Sequence, residues 1–210
     1  NNNTITDNIC NNNRSYGIDL SSSSNNAVTG NTCTNNSSIG IYLSSSSNNN
    51  TVTGNTCNNN GNGIDLSASS NDNTITGNTC NNNRHYGIYL SSSSNNTITG
   101  NICNNNSYGI RLYSSSKNTI TGNTCIRGTG KPGEYTTDQH TILLSGTTND
   151  YNLISSNNCM GKAVVIEGGT GNTVFNNKWD DTDEIPQSIE VVQNTPTTTK
   201  SGQIIFLEVL

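Results

Sequence analysis

Charge is scarce in this chain. Lys, Arg, Asp and Glu make up 11% of its 210 residues, against about 25% in a typical soluble domain. Nine cations face fourteen anions, a net charge of −5, so there is no basic patch for a nucleic-acid backbone and no such partner is expected. Hydrophobic residues are few as well, 29% where about 45 to 50% is usual, which excludes an ordinary globular core. No apolar run approaches the roughly 18 residues of a membrane-spanning helix. The start of the sequence has neither the charged n-region nor the apolar h-region of a secretory signal, which is absent or already removed.

Asn, Ser and Thr take the place of the missing residues, a composition that in many chains means disorder. Here the few apolar residues keep phase. The stretch 73–94, NTITGNTCNNNRHYGIYLSSSS, has near copies before and after it, and its cysteine recurs as Cys10, Cys33, Cys57, Cys80, Cys103 and Cys125. The Ile or Val of T-I/V-T (Ile5, Val28, Val52, Ile75, Ile98, Ile120), the Ile after glycine (Ile18, Ile41, Ile64, Ile88, Ile110) and a leucine (Leu20, Leu43, Leu66, Leu90, Leu112) repeat in step. A period close to 23 residues signals a solenoid, in which each unit buries its apolar face only against its neighbours.

Within a unit the apolar spacing is not helical, and Thr, Ile, Val and Tyr punctuated by Asn and Gly favour strands and turns. Each coil reads as three short strands: T-I-T, N-T-C and Y-G-I-x-L-S. In the last, Ile and Leu share the inner face and the residue between them faces outward. Stacked at about 4.8 Å, the coils form ladders of Ile, Leu and Cys. The Asn of G-N-T (Asn31, Asn55, Asn78, Asn101, Asn123) falls at a corner, where its amides can bond along the axis. The segments TITGNTC and YGIYLSSSSNN resemble the parallel β-helix repeats of right-handed β-helix proteins, including the carbohydrate-binding and sugar-hydrolase type domains of archaeal and bacterial surface proteins. The likeness covers residues 1 to about 179. It implies an all-β, right-handed parallel β-helix of about seven to eight coils.

Residues 1–178 are assigned to the β-helix. Residues 126–141 hold an insertion, since the interval from Cys to the next Ile grows from 7 residues (Cys103 to Ile110) to 17 (Cys125 to Ile142). Residues 179–210 read as two strands, either a cap or a connector that packs on another subunit through Ile204, Ile205, Phe206, Leu207 and Val209. The cysteines have no CxxC spacing and read as a ladder of buried thiols, so neither a metal site nor a cofactor is expected. Asn-x-Ser/Thr sequons, at Asn2, Asn35, Asn95 and elsewhere, permit glycosylation.

The outward position of G-I-x-L runs Asp19, Tyr42, Asp65, Tyr89, Arg111 up one face. Tyrosines offer flat apolar faces with polar rims, and Tyr42, Asp65, Tyr89 and Arg111 are the candidate ligand-binding residues. Two aspartates about 9.6 Å apart with a tyrosine between them match an inverting carboxylate pair poorly. Because the first repeats vary so little, the expectation is a non-enzymatic, extracellular or cell-surface structural solenoid that stacks head to tail with itself. A carbohydrate-binding or polysaccharide-cleaving β-helix is the alternative.

Overall fold

The structure is a computed structural model that describes residues 1–128 and 139–179. Each coil contributes a three-residue strand followed by a longer one. The short strands are β1 (Thr4–Thr6), β3 (Ala27–Thr29), β5 (Thr51–Thr53), β7 (Thr74–Thr76), β9 (Thr97–Thr99), β11 (Thr119–Thr121), β13 (Leu153–Ser155) and β15 (Thr173–Phe175). The longer ones are β2 (Tyr16–Ser21), β4 (Ile39–Ser44), β6 (Asn62–Ser67), β8 (Tyr86–Ser91), β10 (Tyr108–Tyr113) and β12 (His140–Ser145), and in the last coil their place is taken by the two-residue β14 (Val165–Ile166). They form one eight-stranded and one seven-stranded sheet in coil order, with parallel pairing throughout. The expected third strand is shorter than its sequence implies. It is a column of single bridges, Ile9 to Thr32 to Thr56 to Thr79 to Ile102 to Thr124, because the flanking Asn residues turn the chain. Asn12, Asn35, Asn59, Asn82 and Asn105 all adopt φ between 52 and 59°, a left-handed conformation that asparagine tolerates better than most residues.

The interior is a set of ladders. Ile41, Ile64, Ile88, Ile110 and Ile142 stack above one another, as do Leu43, Leu66, Leu90, Leu112 and Leu144, and all are fully buried. Cys33 to Cys125 form a third column with Cys159 as its continuation, and Cys10 packs against it partly buried. All seven are free thiols. Burial first, and the sulfur of the next coil second, push Cys80 and Cys103 well above the usual thiol range; Cys159 is pushed up to about 12. They pack as small hydrophobes, not as nucleophiles.

Polar ladders line the corners of this narrow core. In the corner expected from G-N-T, each amide accepts from the backbone N–H and side-chain Nδ2 of the previous coil, as Asn101 does from Asn78 at 2.9 and 3.0 Å. Two further columns do the same, Asn26 to Asn50 to Asn73 to Asn96 to Asn118 and Asn13 to Asn36 to Asn60. The turns therefore satisfy backbone groups that so thin a core leaves without partners.

The insertion does not break the stack. After it, β12 returns to the register of β10, with Ile110 opposite Ile142 and Leu112 opposite Leu144. Residues 129–138 lie outside the described residues. So does the tail 180–210, with the proposed connector residues Ile204, Ile205, Phe206, Leu207 and Val209.

Candidate functional site

The seven-stranded sheet places three columns of side chains on its outer side. The middle column is Asp19, Tyr42, Asp65, Tyr89 and Arg111, each directly opposite the next, so the four sequence-predicted residues do share one line. Beside it run Tyr16, Ile39, Asn62, Tyr86, Tyr108 and His140. Tyr16, Tyr86 and Tyr108 stand just before the glycine of their repeats, and His140 follows the insertion. The register brings all of them onto one face.

Side chains concentrate around Arg111. Its guanidinium carbon lies 5.6, 5.1 and 5.9 Å from the ring centres of Tyr86, Tyr108 and Tyr113. It donates from Nη1 to the Tyr86 hydroxyl at 2.9 Å and from Nε to Ser145 Oγ at 3.1 Å. Tyr86 stacks on Tyr89, with centroids 4.4 Å apart and planes 20° apart, and it leans against Tyr108 at 5.4 Å. Tyr108 in turn stacks on His140 at 5.3 Å, and His140 Nε2 meets Lys162 Nζ at 3.1 Å. A cation is thus held rigidly among aromatic faces, with an imidazole one coil away and a second cation, Lys162, beyond it. Such a surface suits a flat ligand that carries an anionic group.

Asp65 has a different setting from the exposed Asp19. It is 5% exposed. Its Oδ2 accepts from Asn62 Nδ2 at 2.9 Å and its Oδ1 from Ser67 Oγ. Burial raises its pKa, and the two hydrogen bonds offset the rise only in part. Burial also pushes Tyr89 up. A carboxyl that keeps its proton to higher pH than an ordinary aspartate is suited to act as a general acid. The sign of the shift also predicts stability. The folded state binds the proton more tightly, so the contribution of Asp65 is full below the ordinary aspartate range and is lost as pH rises through its raised pKa. Asp65→Asn should therefore raise the melting temperature at neutral pH and change it little near pH 3, about a unit below the ordinary aspartate value. Its amide can bond the buried Asn62 Oδ1, which has no partner. An Asn variant that melts no higher than wild type at neutral pH would contradict this account.

A family model described as right handed beta helix region matches residues 1–125, and one described as periplasmic copper-binding protein (NosD) matches residues 68–195. None of the curated proteins matches the chain significantly. Among solved structures, the A-module of the Azotobacter vinelandii mannuronan C-5 epimerase AlgE6 superposes with a TM-score of 0.69 at 15% identity, over 84% of this chain and 57% of that one. The periplasmic alginate epimerase AlgG gives 0.55 at 22% identity, over 82% and 44%. The enzymatically active domain of tailspike protein 2 of bacteriophage CBA120 gives 0.52 at 14%, over 79% and 26%. This chain spans well under two thirds of each.

These findings count against the expectation of a non-enzymatic structural solenoid, since the solved structures that share this fold include epimerases and a tailspike enzymatic domain. The purity of the ladders misled because it describes the interior. On the outside, the one break in the repeat delivers His140 to the edge of the Arg111 cluster. The copper named in the second family finds no ligand set among the described residues. Among the described residues no three His, Cys, Asp or Glu side chains cluster to hold a metal ion, and the cysteines are buried thiols held above their usual range. The ladders, the two parallel sheets and the two family matches, each spanning more than half of the chain, agree: the chain belongs to the right-handed β-helix family, in the group that includes NosD.

Proposed function

We propose that this chain is a polysaccharide-active β-helix protein, which holds an acidic polysaccharide on the outer face of the seven-stranded sheet and acts on it by proton transfer. The observation that carries the reading is Arg111, set among Tyr86, Tyr108 and Tyr113 and hydrogen-bonded to the Tyr86 hydroxyl. Aromatic faces stack on the apolar side of a sugar ring, and a guanidinium fixed by neighbours recognises a carboxylate with little entropy left to lose. Asp65 stands two strands from Arg111 on one side and His140 one strand away on the other, so each is placed to exchange a proton with a different sugar of a bound chain. The backbone shared with two alginate epimerases supports this reading. So do the periplasmic proteins named among the family and the solved structures, which favour a place outside the cytoplasm.

Affinity electrophoresis in gels that contain a polyuronate or a neutral glucan tests the binding. The protein should be retarded only by the polyuronate, and Arg111→Ala should weaken retention by about tenfold or more, as loss of a charge-assisted contact implies. Proton NMR of the treated polymer then reads inversion or cleavage. Equal migration in all gels would end the proposal.

A further inference from the structure

The same face holds a second aromatic pair that the Arg111 cluster does not use. Tyr16 and Tyr42 lie on β2 and β4 with centroids 5.0 Å apart and planes tilted by 36°. Neither ring is buried in the core. Tyr42 shares its column with Arg111, three strands away, which is about 14 Å at the strand spacing of a sheet. Between them the column carries Asp65 and Tyr89, held by Asn62, Ser67 and the stacked Tyr86. The row is continuous from coil to coil.

We propose that Tyr16 and Tyr42 form a distal sugar subsite, so that one extended polysaccharide chain lies along the solenoid axis with one sugar on each coil. The inference rests on the polysaccharide reading above and adds orientation and length to it. The rise per coil, about 4.8 Å, is close to the length of one 1,4-linked sugar in an extended chain, so successive rings meet successive coils without losing register. From β2 to β12 the face offers five such steps. A shorter ligand reaches only one platform. The two ends differ in chemistry: Arg111 and Lys162 stand at one, and the exposed carboxylate of Asp19, which already accepts from the Ser21 backbone and hydroxyl, stands at the other. A carboxylate-bearing sugar therefore belongs over Arg111, while Asp19 accepts from sugar hydroxyls at the distal pair.

Calorimetry on the full chain with size-fractionated oligouronates tests the arrangement. Wild type should bind a hexasaccharide about tenfold more tightly than a trisaccharide, because a second stacking platform is reached. Tyr42→Ala and Tyr16→Ala should each remove most of that gain and leave the trisaccharide affinity unchanged, with unaltered melting temperatures as the check on folding. A hexasaccharide that binds no better than the trisaccharide overturns the distal subsite alone, as does an equal loss for both ligands in the variants. Failure of wild type to bind either ligand overturns the polysaccharide reading itself.

Discussion

Replacement of Asn101 by aspartate is expected to cost about 3 to 5 kcal/mol at neutral pH, the range for an uncompensated buried charge. Asn101 is fully buried in its ladder. Its Oδ1 accepts from the backbone and side chain of Asn78, and an aspartate oxygen keeps that role. The other half of the amide cannot be replaced. Nδ2 donates to Ile75 O at 2.9 Å, to Asn123 Oδ1 at 3.0 Å and to Thr99 O at 3.2 Å. In the variant an oxygen would face three oxygens. The cost falls on the ionised form, so the folded protein holds the new proton more tightly than the unfolded chain does. Stability is then recovered as pH falls towards the ordinary aspartate range and lost as it rises. Urea unfolding at pH 7 and pH 4 reads this directly. An equal loss at both values would show that the amide matters for its shape and not for its donors.

Gly87→Ala should cost about 3 kcal/mol or more for a purely steric reason. A Cβ there would stand 2.5 Å from the Gly109 carbonyl oxygen and 2.8 Å from both Asn106 Nδ2 and Cys103 Cβ. The first of these is backbone and has nowhere to go. The same crowding recurs at Gly17, Gly40, Gly63 and Gly109, each beside the cysteine of the next coil. The glycine before each inward Ile is therefore what lets the cysteine column sit so close to the long strand. Gly77 makes a useful contrast. Its φ is +62° and an added Cβ meets nothing within 4 Å, so Gly77→Ala should cost only about 1 kcal/mol, the conformational penalty alone. Thermal unfolding of the two variants side by side separates crowding from backbone strain, and similar losses would refute the distinction.

The interior of this protein was legible in its sequence because a solenoid converts a sequence period directly into a spatial ladder. Ile64 predicts the place of Ile88 by counting. The outward faces were legible only where the count held. Tyr42, Asp65, Tyr89 and Arg111 fall into one column as expected, but His140 is paired with Tyr108 across the insertion, at an offset that no period gives. The side ladders of Asn26 and Asn36 were missed for another reason. Around Asn36 the repeat carries runs of two or three asparagines, and periodicity alone does not say which one turns inward; Asn26, Asn50, Asn73, Asn96 and Asn118, each just before a short strand, recur in step and were open to the same counting. The buried state of Asp65 was equally hidden, since it depends on Asn62 and Ser67 of its own strand and on tyrosines one coil above and below.

Because the ladders are interchangeable from coil to coil, the molecule can change length in whole steps. Unequal recombination between near-identical repeats, such as those around Cys57 and Cys80, would add or remove one coil and still leave every Ile over an Ile and every Asn over an Asn. Folding would tolerate the edit, while the outer face would grow or shrink by one sugar-length position. Under the proposed subsite arrangement, such edits would set the length of the ligand that the outer face accepts.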